Sequence, residues 1–189
     1  VSVLGICGSP RENGSTARLV HEALAGAAGE GAATEYLHLE TLNIRPCTGC
    51  MGCRETARCV VDDGMTVYYA AIERNRPPLG LVIGTPIYFD HISAQLKAWI
   101  DRHFSYSYTA KGERMFPPGY RAVLIATYDW DNPTIYDSVV DWLAERLEFY
   151  HAIQVIAKIT LPNATGCPPD RQPDKLRQAR EAGKMLARG

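Results

Sequence analysis

Short apolar runs alternate with amphipathic stretches from one end of the chain to the other, the pattern of a parallel sheet with helices on both faces. "SVLGIC" at 2–7 reads as the first strand, and residues 15–28 as a helix whose Val20, Ala23, Leu24 and Ala27 share one face. "TEYLHLE" at 34–40 alternates as a second strand does, and a short helix is expected near 64–74. "LGLVIGTP" at 79–86 is apolar throughout, as a strand covered on both faces is. Leu96, Trp99, Ile100 and Phe104 mark the inner side of the next helix. "YRAVLIATY" at 120–128 gives strand four, residues 134–149 a helix, and "AIQVIAKITL" at 152–161 strand five. A last helix carries Leu176, Ala179, Gly183 and Leu186 on one side. Five strands and five helices in strict alternation predict a single doubly wound α/β domain over 1–189, three layers deep, with a cysteine-rich loop at 45–65. The Pro pairs at 77–78, 117–118 and 168–169 punctuate loops rather than divide domains.

Composition narrows the class. Of 189 residues, 46% are hydrophobic and 22% charged, the balance of an ordinary globular protein. A chain of this length buries enough surface to be stable without disulfides. The longest apolar runs, such as "AVLIA" at 122–126, fall far short of the ~20 residues of a membrane-spanning helix. No basic segment precedes the strand-like run that opens at Val1, so no secretory signal and a cytoplasmic location are expected. A net charge of −1 provides no concentrated basic surface for nucleic acid. In a reducing compartment, clustered thiols point to metal binding or redox chemistry rather than to static bridges.

Ligands of doubly wound folds bind beyond the carboxyl ends of the strands, where strand order reverses, which directs attention to the loops after strands one, three and four. After strand one, "GSPRENGST" supplies two glycines, hydroxyls, an amide and an arginine just before a helix. Free amides at a helix N-terminus hold a phosphate; Ser9, Asn13, Ser15 and Thr16 can add hydrogen bonds and Arg11 a charge. The loop matches neither G-x-G-x-x-G nor G-x-x-x-x-G-K-[ST], which disfavours dinucleotide and ATP sites. The bland alternative is a tight turn with Ser15 as an ordinary N-cap. In "TPIYFDHISAQLKAWIDR", 85–102, a planar ring could lie along Pro86, Ile87 and Tyr88 with Tyr88 and Phe89 as walls. Taken alone, Phe89 reads as a core residue at a strand end.

Together these two loops resemble the NADPH-dependent FMN reductase group of flavodoxin-like proteins, and the cysteine run narrows the likeness to the iron-sulfur flavoprotein branch. The resemblance covers residues 1 to about 150. It implies a five-stranded parallel sheet in the order 2-1-3-4-5 and bound FMN. The phosphate would rest on Ser9, Arg11, Asn13, Ser15 and Thr16, and the ring against Pro86, Ile87, Tyr88 and Phe89. Relatives tend to carry a small or Gly-rich loop after strand four. This chain has "ATYDWDN", 126–132, where Trp130 could flank the flavin or close the pocket.

Cys47, Cys50, Cys53 and Cys59 follow the spacing C-x2-C-x2-C-x5-C. Three thiolates at three-residue intervals can wrap one face of a compact cluster, with Gly49 and Gly52 permitting sharp turns and Cys59 folding back to complete a 4Fe-4S site. Tetrahedral zinc is the main rival, although zinc sites built from C-x2-C usually join two separated pairs. A reactive dithiol, such as Cys50 with Cys53, is the third reading. Cys7 ends a buried strand as a small hydrophobe, and Cys167 receives no role. "DDG", 62–64, reads as a helix cap, and His91 as a loop histidine with a possible proton-donating role. The basic last helix, with Lys175, Arg177, Arg180, Lys184 and Arg188, reads as a solvated face.

These readings converge on a flavin-dependent oxidoreductase that passes electrons between FMN and a 4Fe-4S cluster, with NAD(P)H or ferredoxin as donor and a small molecule or protein as acceptor. A homodimer or homotetramer is expected to shield both groups. The alternatives are an NAD(P)H-dependent FMN or quinone reductase without a working cluster, and a thiol-based redox sensor or binding module.

Overall fold

The apolar runs pair into one sheet whose strands are, in chain order, β1 (Ser2–Cys7), β2 (Ala33–His38), β3 (Leu79–Tyr88), β4 (His91–Ile92), β5 (Arg121–Thr127) and β6 (Gln154–Leu161). The helices are α1 (Ser15–Gly29), α2 (Cys53–Thr56), α3 (Met65–Arg74), α4 (Ala94–Arg102), α5 (Asp137–His151) and α6 (Pro173–Ala187). The structure is a computed structural model and describes residues 1–56, 58–74, 79–107 and 116–188. The Pro pair at 77–78 lies outside them.

The five long strands are parallel in the order β2-β1-β3-β5-β6, which is the expected 2-1-3-4-5 arrangement. The sixth strand was not foreseen: β4 is a two-residue antiparallel partner of β3, formed because β3 runs past its apolar stretch and doubles back. Each strand sends alternate residues to opposite faces. Leu4, Ile6, Leu81, Ile83 and Leu124 pack with Tyr68, Leu96, Trp99 and Leu147 under α3, α4 and α5. Val3, Val82, Val123 and Ile125 pack with Leu19, Val20, Ala179 and Leu186 under α1 and α6. Each fully buried aliphatic side chain contributes roughly 1.5–3 kcal/mol, so the two cores hold the sheet between its helical layers.

One expectation about side chains needs correcting. Phe104 is not on the inner face of α4: that helix ends at Arg102, and Phe104 sits exposed in the 3-10 turn that follows. The tighter turn rotates His103 inward in its place. The basic residues of α6 do face solvent, and at that surface Arg180 pairs with Glu22 and Arg188 with Glu30 across to α1. The two helices approach so closely that a Cβ on Gly183 would fall 1.8 Å from the Ala23 carbonyl oxygen. Among the described residues, no helix is long and apolar enough to cross a membrane.

Candidate functional site

At the carboxyl ends of β1, β3 and β5 the loops surround a cleft of about 820 Å3, within the roughly 300–1,000 Å3 typical of small-molecule sites. Its floor is locked by backbone: the Gly8 N–H donates to the Gly84 carbonyl at 2.8 Å, and the Ser93 hydroxyl donates to the Gly8 carbonyl at 2.6 Å. His38 Nε2 donates to the Ser9 carbonyl at 2.7 Å, and the Arg11 N–H donates to Ser9 Oγ at 3.1 Å. Helix α1 starts at Ser15 with Gly14 as N-cap, and no cap side chain bonds its first turn. The first-turn amides and the positive end of the helix dipole therefore remain available to an anion. Ser15 is thus not the cap of the bland reading; it lies inside the helix, and its hydroxyl donates to the Ala164 carbonyl at 3.3 Å. Thr16 Oγ1 lies 2.7 Å from Thr127 Oγ1, both buried, which ties α1 to the end of β5. Arg11 and Asn13 stand exposed on the loop.

The second wall is a hairpin. Ile87 pairs with Ile92 and Tyr88 with His91, leaving Phe89 and Asp90 as the two turn residues with φ of 48° and 62°. Left-handed values at both positions match the twist of a two-residue hairpin, but without glycine they carry strain of roughly 1 kcal/mol or more each. The Tyr136 hydroxyl holds the turn by donating to Asp90 Oδ1 at 2.6 Å. Phe89 is consequently not a core residue: the turn projects it fully into solvent at the cleft's rim, where no helical layer reaches. Trp130 stands exposed at the mouth of the cleft, beside the Tyr136 hydroxyl that holds the turn. His91 packs edge-on against Trp142, with ring centroids 4.8 Å apart, and does not line the cleft.

Ser9, Arg11, Asn13, Ser15, Thr16, Pro86, Ile87, Tyr88, Phe89 and Trp130, read from sequence as flavin contacts, all line this one cleft. The structure adds Gly14, Asp90, Thr127, Tyr128, Asp129, Tyr136, Ala164 and Thr165. Ala164 and Thr165 follow β6, whose carboxyl end meets the same edge, so the parallel topology brings a fourth loop to the cleft beside those after strands one, three and four. The cleft suits FMN on its own chemistry: uncapped amides, hydroxyls and a guanidinium on one side, and aromatic and apolar walls on the other.

The cysteine segment lies beyond the far end of α4. Cys47 and Cys50 are exposed, and Cys53 and Cys59 half-buried. The chain turns through left-handed Gly49 and Met51 into the four-residue α2, which begins at Cys53. Burial pushes the Cys53 thiol up, and Cys59, Cys47 and Cys50 push it further, so the four sulfurs share a neighbourhood. Hydrogen bonds from the Gly52 amide and the Thr48 hydroxyl hold the Cys50 thiol below its usual range. Soft sulfur donors are what iron-sulfur clusters take. The donor set fits in chemistry, but the sulfurs are not drawn into a closed cage: among the described residues, no group of three or more His, Cys, Asp or Glu side chains is placed to hold a metal ion.

Sequence reasoning overlooked Arg102. Its guanidinium is buried, with 0% side-chain exposure, and pairs with Asp63 at 2.7 Å, whose side chain is 6% exposed. Burial alone would raise the Asp63 carboxyl. Hydrogen bonds from Arg102 and from the backbone N–H groups of Arg45 and Met65 outweigh it and hold the group below its usual range. The bond from Met65, at 3.0 Å, is the helix-capping role expected of "DDG". Cys7 is buried as expected, and burial pushes its thiol up.

Comparison with known proteins supplies a family. The model for NADPH-dependent FMN reductase matches residues 1–130. An iron-sulfur flavoprotein of Methanocaldococcus jannaschii is 40% identical over 103 residues, covering 54% of this chain and 51% of that protein. An FMN-dependent NADH:quinone oxidoreductase of Chromobacterium violaceum is 30% identical over 115 residues, 57% of this chain and 56% of that protein. The chain thus spans about half the length of the curated relatives it matches. Among solved structures, an NAD(P)H:quinone oxidoreductase from Methanothermobacter marburgensis superposes with a TM-score of 0.74, covering 98% of this chain and 96% of the other at 18% identity, which establishes the shared fold.

Proposed function

Since the chain belongs to the NADPH-dependent FMN reductase family, we propose that it is a flavin-dependent oxidoreductase that binds FMN in the cleft and passes electrons between it and a 4Fe-4S cluster on Cys47, Cys50, Cys53 and Cys59. The observation that carries this reading is the meeting, in one cleft, of an uncapped helix N-terminus with aromatic walls. The first-turn amides of α1, the hydroxyls of Ser9 and Ser15, the Asn13 amide and the Arg11 guanidinium would hold the phosphate. Pro86, Ile87, Tyr88 and Phe89 would wall the ring, and Trp130, beside Tyr136 at the mouth of the cleft, would exclude water. When bound, FMN supplies two-electron and one-electron chemistry, and the cluster one-electron chemistry alone. NAD(P)H or ferredoxin is the donor and a small molecule or protein the acceptor. A homodimer or homotetramer belongs to the same proposal, because Met51 and Val60 leave apolar surface exposed around the thiols of a single chain.

The names of the relatives support the cluster, and the open arrangement of the thiols favours a second reading, an FMN-dependent NAD(P)H or quinone reductase without one. Anaerobic purification followed by visible spectroscopy and flavin, iron and zinc analysis separates them. The proposal expects about one FMN and about four irons per chain, with Cys53→Ala losing the iron and keeping the flavin. Flavin without iron selects the second reading. A preparation that takes up neither group on reconstitution overturns both.

A further inference from the structure

Among the described residues, every acceptor that the Arg102 guanidinium reaches lies on the cysteine segment. Nε donates to Cys59 Sγ at 3.1 Å. Nη1 donates to the Arg45 carbonyl at 2.9 Å and to Asp63 Oδ2 at 2.7 Å. Nη2 donates to the Val61 carbonyl at 3.0 Å and to Asp63 Oδ1 at 3.2 Å. An arginine has five N–H donors in a rigid fork, and all five are used here. The segment is thus fastened at both its ends, at Arg45 and at Val61 to Asp63, while Cys47 and Cys50 ride exposed on the span between. Cys59 is the one cysteine of the four that the fork itself grips.

We propose that Arg102 is a positioning residue: it fixes Cys59 to the body of the fold, so that the segment closes around a preset thiol instead of gathering four free ones. This explains how four sulfurs can share a neighbourhood without forming a cage. It also couples the two sites. At its other end α4 is capped by Ser93, whose hydroxyl accepts from the Leu96 N–H and donates to the Gly8 carbonyl under the cleft. Nine helical residues at 1.5 Å rise separate those two anchors by about 13 Å, so one short strut sets the spacing between cleft and cysteine segment. Lysine cannot replace the fork, because its three donors radiate from a single point.

The inference deepens the cluster reading and rests on it, but its test begins without metal. The full chain, chelated and reduced, is alkylated with iodoacetamide at pH 9.5, where ordinary thiols are ionised and rates report access, and each cysteine is followed by mass spectrometry. A hydrogen bond to a charged group is worth about tenfold or more in the population of an open segment, so Cys59 should react about tenfold slower than Cys47. In Arg102→Lys that ratio should collapse while FMN per chain stays unchanged. Iron taken up on anaerobic reconstitution should fall by about half or more. Asp63→Asn, which weakens the ion pair but keeps the contact with sulfur, should leave Cys59 protected. Equal rates for Cys59 and Cys47 in the unmodified chain overturn the inference even where Arg102→Lys fails to fold. An unchanged ratio in folded Arg102→Lys, or a collapsed one in Asp63→Asn, does the same. If the unmodified chain takes no iron but the ratio behaves as expected, the cluster reading fails and the positioning of Cys59 stands.

Discussion

His103 offers a sharp test of the packing account, because it is a histidine in a place where charge is forbidden. The turn after α4 drives it among Tyr68, Trp99, Tyr106, Phe116 and His151, with the Trp99 ring centroid 4.0 Å away. It is 1% exposed, and neither ring nitrogen meets a protein hydrogen-bond partner among the described residues. Burial, and then His151, hold its pKa far below the ordinary histidine range. The surrounding phenols of Tyr68 and Tyr106 are pushed up by burial and stay neutral, so neither supplies an anion to the imidazolium. The sign follows from linkage. Above about pH 6.5 the ring is neutral in both folded and unfolded chains and contributes no pH dependence. Below it only the unfolded chain takes the proton, so stability is lost as pH falls, by about 1.4 kcal/mol per pH unit. His103→Phe removes that proton site and preserves the ring packing. At pH 5.5 the variant should therefore gain about 1.4 kcal/mol on the unmodified protein beyond any difference at pH 8. For a chain of this size that is a relative rise in Tm of roughly 3–6 °C. Thermal melts followed by circular dichroism at the two pH values read it directly. A gap between the two proteins that is the same at pH 5.5 as at pH 8 would refute the reasoning.

Three further outcomes follow from the site and its scaffold. Arg11→Ala removes a charge-assisted phosphate contact and should weaken FMN binding about tenfold or more, measured by flavin fluorescence titration. Tyr136→Phe frees Asp90 from the strained hairpin and should loosen FMN about fivefold by the same titration, while far-ultraviolet circular dichroism stays unchanged. Gly183→Ala places a methyl group 1.8 Å from the Ala23 carbonyl oxygen, so α1 and α6 must separate. Overpacking of that kind costs about 1–3 kcal/mol, or a Tm lowered by roughly 2–10 °C.

The sheet was legible because its central strands are apolar on both faces, and the run at 79–86 could hardly be anything but one of them. The phosphate loop was legible through its glycines and hydroxyls placed just ahead of a helix. Two features escaped for physical reasons. The Phe89–Asp90 turn carries no Asn-Gly or Asp-Gly signature, and it is held by Tyr136, which lies 46 residues from Asp90. Arg102 carries no local signal of burial, since an arginine is almost never fully buried unless paired and the pairing is tertiary. Its partners, Cys59, Val61, Asp63 and Arg45, come from a loop whose path local pattern does not determine. Cysteine spacing indicated the donor chemistry of that loop, whereas its anchoring is a tertiary fact.

The most direct test of the central claim, that the cleft holds a flavin by its phosphate at the N-terminus of α1, compares FMN with riboflavin in anaerobic fluorescence titrations of the chelated, flavin-free chain. Two charge-assisted phosphate contacts alone are worth about 3 kcal/mol, so FMN should bind at least ~100-fold more tightly. Equal affinity for the two flavins would contradict the account.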